Sequence, residues 1–150
     1  MRKHSSISAQ ISCQVAFHDV DLAQVVWHGH YLRYLENARW ALMRRLDFDL
    51  PAMMASGYLW PIVDLRVKYV RTASFEDRLC VRASLIEWRE RMVINYLITD
   101  ERDGDRVARA QTTQVAVRAD NKELQFVLPR AFIERVDACL GQTAATGVVS

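Results

Sequence analysis

The sequence predicts an α+β domain in which one long helix packs on a curved antiparallel sheet. Two observations support this fold class. First, a single long segment, at about residues 29–46, has the apolar spacing of an amphipathic helix. Second, segments on both sides of it alternate apolar and polar residues, as strands with one buried face do. An antiparallel sheet of this kind needs a cover on only one face, and one long helix can provide it.

The first strand and the helix are each indicated by the spacing of their apolar residues. Alternation from Ile11 to Phe17 predicts a strand with one buried face. The residues that then recur at helical spacing are Tyr31, Leu35, Ala38 and Leu42. A helix of about 17 residues would be roughly 25 Å long, which suits a single central helix.

Several long strands are predicted after the helix. The segments with strand alternation are 63–69, 79–85, 92–98 and 107–118, with a last short strand at 124–128. The Asp- and Gly-rich stretch 100–105 predicts a hairpin turn. The edges of such a sheet are commonly closed by pairing with another copy of the chain, so a homo-oligomer is expected.

The remaining segments complete a single domain. A short helix is predicted near residues 51–56, and Pro129 is suited to begin a final helix. The apolar residues on one face of that final helix are Phe132, Ile133, Val136 and Leu140. Residues 141–150 have the composition of a loose, flexible tail. No internal repeat or linker divides the chain, so residues 1–150 are predicted to form one domain.

Composition excludes several classes of protein. Hydrophobic residues make up 51% of the chain and charged residues 25%, so the chain can bury a core and disorder is not expected. The net charge of +2 is too small to indicate nucleic-acid binding, which normally requires a dense basic stripe. No run of about 18 apolar residues occurs, so no membrane span is predicted.

Two features predict a cytoplasmic location. No apolar stretch follows the basic residues at the start of the chain, so a secretory signal is not predicted. The three cysteines, Cys13, Cys80 and Cys139, are odd in number and far apart. This arrangement favours free thiols in a reducing compartment.

The segment FHDVDLAQVVWHGHYLRYLENAR, residues 17–39, concentrates polar side chains ahead of the helix. A helix N-terminus carries unpaired backbone N–H groups and a positive dipole end, so it can bind a developing oxyanion. Gly29 permits a close backbone approach at this point. Asp21 lies on the loop before it, and a carboxylate there can attack a carbonyl carbon or activate water. The pairing predicts hydrolytic chemistry.

This segment also resembles the signature of the hotdog-fold acyl-CoA thioesterases of the 4-hydroxybenzoyl-CoA thioesterase type. That signature has an aromatic residue, two aspartates at alternate positions, two aliphatic residues and an aromatic residue before a helix with Glu and Arg. The matching residues are Asp19, Asp21, Val25, Val26, Trp27, His28, Tyr31, Leu32, Tyr34, Glu36 and Arg39. The order of predicted strands and helix extends the resemblance over most of the chain.

The resemblance implies an enzyme that hydrolyses an acyl thioester of coenzyme A, or of acyl carrier protein, to the free acid and the thiol. Asp21 would act as nucleophile or general base. The backbone N–H at His28, with Gly29 beside it, would polarise the thioester carbonyl. The side chain of His28 is a second candidate for catalysis.

The resemblance also implies how substrate and subunits are arranged. Trp27, His30 and Tyr31 are the candidates for substrate contacts. No metal or redox cofactor is implied, and neither nucleic acid nor membrane is an expected partner. The implied assembly is a homodimer or homotetramer with active sites at the subunit interface. Neither the acyl chain nor the choice between coenzyme A and carrier protein is indicated.

Two residues depart from the family pattern. The family often has Gly where this chain has Gln24, and a positive φ there would strain a glutamine. The family often has Asn where this chain has His30, and His is a weaker helix cap than Asn. Both departures bear on loop geometry and on the substrate pocket, and both leave Asp21 in place.

Less specific roles remain open for the same residues. Asp21 could be only a turn residue, since aspartate favours loops, and Asp19 is expected to be structural. His28 could contribute only its backbone. Aromatic residues at helical spacing are more often core than substrate contacts, and this applies to Tyr31, Tyr34 and Trp40. Glu36 is expected to form an ion pair on the helix surface with Arg33 or Arg39.

A metal site is not predicted. The residues of ligand type are His18, Asp19, Asp21, His28 and His30. A His-x-His on a turn entering a helix does not direct both rings to one point, and no later cluster completes a ligand shell.

Two other functions use the same residues. A hotdog dehydratase or hydratase would pair a histidine, His28 or His30, with Asp21. A binding protein for acyl thioesters would result if Gln24 and His30 blocked catalysis. The basic residues that could bind the phosphates of coenzyme A are Arg66, Lys68, Arg71, Arg82, Arg89 and Arg91.

Overall fold

The computed structural model describes residues 7–146. The strands are β1 (Ile7–Gln14), β2 (Tyr58–Leu59), β3 (Ile62–Tyr69), β4 (Arg78–Trp88), β5 (Met92–Asp100), β6 (Arg106–Gln114) and β7 (Val117–Arg118). The helices are α1 (Tyr31–Arg45), α2 (Leu50–Ala55) and α3 (Arg130–Thr146). Short 3-10 turns lie at Phe17–Asp19 and His28–His30. The predicted order of strand, long helix and antiparallel strands is confirmed.

Five strands form one antiparallel sheet in the order β1-β4-β5-β6-β3. The two hairpins β4–β5 and β5–β6 build its centre, and β1 and β3 are its edges. The predicted turn at 100–105 joins β5 to β6, and Gly104 there has a φ of 78°. A separate ribbon pairs β2 with β7.

Helix α1 covers the β1 and β4 side of the sheet. Its buried face contains Leu35, Ala38 and Leu42, which pack on the fully buried Val81 and Leu85 of β4 and their neighbours. The opposite side of the helix is charged. The predicted ion pair between Glu36 and Arg39 forms, but it is not on the surface as expected, because the Arg39 side chain is only 10% exposed. The amphipathic pattern therefore places the helix on the sheet as the spacing predicted.

Helix α3 closes one end of the core. Phe132 is fully buried, and its ring lies 5.3 Å from that of Phe48 and 5.0 Å from that of Trp60. Pro129 precedes the helix as predicted. The helix continues to Thr146, so residues 141–146 are helical where the sequence predicted a loose tail, and two alanines there favour helix. Residues 147–150 lie outside the described part of the chain.

Three predicted strand features differ in the structure. Phe17 is 75% exposed, because β1 ends at Gln14 where its pairing with β4 stops. The strand predicted at 107–118 ends at Gln114, because the backbone N–H of Val115 donates a hydrogen bond to the carbonyl of Pro61, which lies outside the sheet. Residues 124–128 form a single bridge, at Leu124, and no strand.

Strand β3 also differs from prediction, because its apolar residues are not buried. Val63 is 58% exposed, Leu65 41% and Tyr69 46%. The reason is that α1 lies over the other edge of the sheet and leaves β3 uncovered. The structure therefore has an apolar edge strand with free backbone groups on one side. None of the helices within residues 7–146 is long and apolar enough to cross a lipid bilayer.

Candidate functional site

Asp19 ties the loop before α1 to the helix itself. Its Oδ2 accepts hydrogen bonds from the Ala16 N–H at 2.9 Å and from the Tyr34 hydroxyl at 2.8 Å. Its Oδ1 accepts one from Arg33 at 2.7 Å. The side chain is only 3% exposed, so this carboxylate is enclosed by its donors. The geometry agrees with the expectation that Asp19 is structural.

The same contacts shift two pKa values. Burial acts to raise the pKa of Asp19, but hydrogen bonds from Ala16, Tyr34 and Arg33 outweigh it and lower that pKa below its usual value. For Tyr34, burial and the hydrogen bond to the Asp19 carboxylate both raise the pKa. Asp19 is therefore an ionised acceptor and Tyr34 a neutral donor around neutral pH.

Asp21, two residues after Asp19, lies in a tight turn. Its N–H donates to Val25 O at 2.9 Å, and its own carbonyl accepts from the Gln24 N–H at 2.9 Å. The carboxylate is exposed, and only Oδ1 has an acceptor role among the described hydrogen bonds, from the Ala23 N–H at 2.8 Å. Oδ2 of Asp21 therefore remains open for chemistry.

Gln24 has a φ of 67°, as the comparison with the family pattern anticipated. A side chain at a left-handed φ costs about 1 kcal/mol or more relative to glycine, which adopts this conformation freely. The tight turn around Asp21 is therefore formed at some cost in conformational energy.

We expect Gln24→Gly to raise the free energy of unfolding by about 0.5–1 kcal/mol. Relief of backbone strain stabilises the folded state, and the greater conformational entropy of glycine in the unfolded chain offsets part of that gain. Urea unfolding would measure the change. Ala23→Gly is the matched control, since the φ of Ala23 is not positive and glycine there should destabilise. A loss of stability in Gln24→Gly would mean that side-chain contacts of Gln24 outweigh its strain.

The helical segment that begins at His28 has no side-chain cap. A 3-10 turn, His28–His30, leads directly into α1, and neither Trp27 nor His30 caps it with a side chain. The described hydrogen bonds include none donated by the backbone N–H of His28 or Gly29. These two N–H groups are thus available to an oxygen of a ligand.

A cleft of about 360 Å³ lies between this helix start, the Asp21 turn and the end of β3. It is lined by Asp21, Val25, Val26, His28, Tyr31, Tyr69, Val70, Arg71 and Thr72. Three of the predicted site residues, Asp21, His28 and Tyr31, therefore share one cleft although ten residues of sequence separate the first from the last. Tyr31 is 3% exposed and contributes to the core as well.

The other predicted residues lie beside this cleft. The ring of Trp27 covers Gly29 so closely that a Cβ there would be 2.2 Å from it. A side chain at position 29 would force the Trp27 ring, which is 45% exposed, to move. The Trp27 ring also contacts the rings of His28 and His30, at centroid distances of 4.8 and 5.2 Å. His30 Nδ1 is 3.0 Å from the guanidinium of Arg33. Substrate contacts by Trp27 and His30 stay a prediction.

Four lining residues were not predicted at this site: Tyr69, Val70, Arg71 and Thr72. Tyr69 donates its hydroxyl to the carbonyl of His28 at 2.7 Å. Arg71 forms ion pairs with Asp100, Asp103 and Asp105, at 2.8, 3.1 and 3.1 Å. The sequence predicted only a strand ending at Tyr69, because nothing in the local pattern indicates its contact with His28, 41 residues away.

The six basic residues that the sequence offered for phosphate binding do not lie together. Arg66, Lys68 and Arg82 line a groove of about 640 Å³ on the sheet, together with Arg106 and Arg109 and without a carboxylate. Arg71 is already neutralised by its three aspartates. Arg89 and Arg91 are not part of this lining. Within the described residues, no group of three or more His, Cys, Asp or Glu side chains could hold a metal ion.

Known proteins are similar to this chain in sequence and in architecture. The 4-hydroxybenzoyl-CoA thioesterase of Pseudomonas sp. strain CBS-3 is 27% identical over 129 residues, which cover 81% of this chain and 92% of that one. The candidate esterase sll0410 of Synechocystis sp. is 29% identical over 91 residues. That match covers 56% of this chain and 55% of the relative, so the chain spans about half the length of this relative.

A solved structure shows the same fold. The DHNA-CoA thioesterase of Staphylococcus aureus superposes with a TM-score of 0.81 over 96% of this chain and 97% of its own, at 22% identity. The architecture of one long helix on an antiparallel sheet is thus the hotdog fold that the sequence predicted. The model of the thioesterase-like superfamily matches residues 15–137, and the chain belongs to that superfamily.

Proposed function

We propose that this protein is an acyl-CoA thioesterase, which hydrolyses an acyl thioester to the free acid and the thiol. The observation that supports it best is that Asp21 and His28 line the same cleft. An open carboxylate oxygen and N–H groups without acceptors are the two components that acyl transfer requires. The similarity to a 4-hydroxybenzoyl-CoA thioesterase supports the same activity.

In the proposed reaction the thioester carbonyl oxygen accepts hydrogen bonds from the N–H groups of His28 and Gly29. Asp21 then follows one of two routes. As a nucleophile it attacks the carbonyl carbon, the C–S bond breaks, and water hydrolyses the resulting mixed anhydride. As a general base it removes a proton from water, which attacks the same carbon. In both routes the leaving thiolate takes up a proton.

The helix start contributes because negative charge builds up on the carbonyl oxygen in the transition state. Fixed N–H donors at a helix N-terminus stabilise that charge without having to reorient. The ring of His28, exposed at the cleft, is a further candidate for proton transfer to the departing thiolate. Trp27, His30 and Tyr31 remain candidates for contacts with the acyl group.

Release of free thiol from a panel of acyl-CoA thioesters tests this function directly. We expect the wild-type protein to release coenzyme A from at least one member, with the free acid as the second product. Enoyl or hydroxyacyl thioesters without free thiol would instead indicate a dehydratase or hydratase. If the protein binds an acyl thioester tightly but hydrolyses no thioester of coenzyme A or carrier protein, that result would indicate a binding protein.

We further propose that the basic groove on the sheet binds the phosphates of coenzyme A. Its five cationic side chains have no carboxylate among them, although Arg66 also pairs with Asp64 on the same strand. Lys68 lines the groove and its neighbour Tyr69 lines the cleft, so the two sites lie on opposite faces of one edge strand. A ligand occupying both must pass around the end of β3.

Two substrates, one with phosphates and one without, can test whether this groove binds coenzyme A. We expect Arg109→Glu to raise KM about tenfold for an acyl-CoA, because a charge-assisted hydrogen bond is replaced by repulsion. The KM for the same acyl group on N-acetylcysteamine, which lacks phosphates, should not change. Arg89→Glu, outside the groove lining, is the matched control. Equal effects on both substrates would remove the groove from coenzyme A recognition.

The assembly that we propose is a homodimer joined at the β3 edge, with a homotetramer as the higher form. The support is the exposed apolar edge of β3, where Val63, Leu65 and Tyr69 are each more than 40% exposed. Light scattering of the purified protein should give a mass of two or four chains of 17.3 kDa. The mass of a single chain would contradict the proposal. The cytoplasmic location stays a prediction.

A further inference from the structure

Tyr69 is attached to the peptide group that begins the helical segment. It is the last residue of β3, and its hydroxyl donates to the carbonyl oxygen of His28 at 2.7 Å. This bond links the end of an edge strand to the start of the helix, across 41 residues of sequence. Both residues line the cleft that contains Asp21.

The carbonyl of His28 and the N–H of Gly29 belong to one peptide group. A peptide is planar and trans, so its C=O and N–H point in opposite directions. A donor that fixes the direction of the His28 oxygen therefore also fixes the direction of the Gly29 N–H. The same bond polarises the amide and strengthens the N–H as a donor.

The Tyr69 hydroxyl is held in place although the side chain is 46% exposed. Its ring meets that of the buried Tyr31 edge to face, with centroids 5.3 Å apart. The next two residues, Val70 and Arg71, donate their N–H groups to Val107 O at 2.9 and 3.0 Å. The ion pairs of Arg71 with the β5–β6 turn hold this segment further.

We propose that Tyr69 is a positioning residue of the hydrolytic site, which holds the His28–Gly29 peptide so that the Gly29 N–H is directed at the thioester carbonyl. The inference rests on the proposed thioesterase function and deepens it. Tyr69 does not touch the substrate in this role. It acts through the peptide, so its loss should reduce stabilisation of the transition state more than binding of the substrate.

Tyr69→Phe removes only the hydroxyl. We expect kcat to fall about tenfold, less than the 10²–10³ typical for loss of a direct oxyanion donor, with KM within about twofold of wild type. Tyr58→Phe removes the same group in β2, outside the cleft lining, and should leave both constants unchanged. Unfolding in urea checks that each variant is folded. An unchanged kcat in folded Tyr69→Phe would overturn the inference.

An infrared measurement tests the same role without turnover. The probe is 4-hydroxybenzoyl-CoA with ¹³C at its thioester carbonyl, bound to Asp21→Asn with and without Tyr69→Phe. A polarised carbonyl absorbs at lower frequency, so the shift on binding should be smaller when Tyr69 is absent. Equal shifts would overturn the role of Tyr69 alone. No shift in the Asp21→Asn parent would overturn carbonyl polarisation at the helix start and this inference with it. Absence of thiol release by wild type would count against the proposed function only.

Discussion

Asp21→Asn is expected to lower kcat by about 10² or more and to leave the protein folded. The carboxylate is exposed, and its one described hydrogen bond is accepted by Oδ1 from the Ala23 N–H. An asparagine oxygen can accept that same bond, so the turn should persist while the nucleophile or base is lost. Thiol release measures the first effect, and urea unfolding measures the second.

The control for this variant is Asp137→Asn, an exposed aspartate on α3 outside the cleft lining. It makes the same chemical change and should retain wild-type kcat. Hydrolysis by Asp21→Asn at a rate near that of wild type would remove Asp21 from the mechanism, although other groups in the cleft could still catalyse the reaction.

A single turnover in heavy-oxygen water separates the two proposed roles of Asp21. Label found in the Asp21 carboxylate would favour the nucleophile, because water then attacks the aspartyl carbon of the mixed anhydride. Label found only in the released acid places the attack of water at the acyl carbon, which the general base requires.

Asp19→Ala should have the opposite profile, with a large loss of stability of about 3 kcal/mol. Removing the carboxylate leaves the buried Tyr34 hydroxyl and the partly buried Ala16 N–H without their acceptor, and Arg33 without its partner. Half-exposed Arg33 can turn to water, so most of the loss comes from the Tyr34 hydroxyl and the Ala16 N–H. Urea unfolding gives the difference from wild type.

Asp120→Ala is the comparison for an exposed pair. Asp120 is 64% exposed beside Arg118, and surface ion pairs contribute little to stability, so this variant should unfold nearly as wild type does. A loss in Asp19→Ala no larger than in Asp120→Ala would mean that the buried donors find other acceptors.

The effect of Asp19 should also depend on pH with a defined sign. Folding lowers its pKa, so its stabilising contribution is fully present above the unfolded value of about 3.9 and is lost as pH falls through the lower folded pKa. The difference in unfolding free energy between wild type and Asp19→Ala should therefore shrink below about pH 4. A difference that stays constant down to pH 2 would show that hydrogen bonding alone, without the charge, explains the loss.

Much of the fold follows from local patterns. The period of the apolar residues predicts α1 and the strands β4 to β6, because a helix or strand with one buried face must repeat at its own spacing. The turn at 100–105 follows from its Asp and Gly content. The pattern fails at β3 and Phe17, where apolar residues alternate but are exposed, since alternation cannot tell which strand lies under the helix.

Some residues of the candidate site could likewise be predicted from the sequence, and others could not. Asp21 and His28 could be predicted because they lie within one motif, next to a helix start that can be recognised from its spacing. Tyr69 could not, because its contact with His28 depends on how β3 meets the helix. The gathering of Arg66, Lys68 and Arg109 in one groove also depends on the strand order, in which β6 lies beside β3.

The sequence by itself determined the elements, their order and the residues of the loop before α1, because each depends on neighbours in the chain. Only the tertiary structure decided which carboxylate is enclosed and which is open. Asp19 and Asp21 are two residues apart, and local spacing alone does not show which of them is buried. Asp19 meets Tyr34 and Arg33 from the helix, while the turn at Gln24 leaves Asp21 at the surface of the cleft. The physical reason is that hydrogen bonds to distant residues, rather than local spacing, set the role of a charged group.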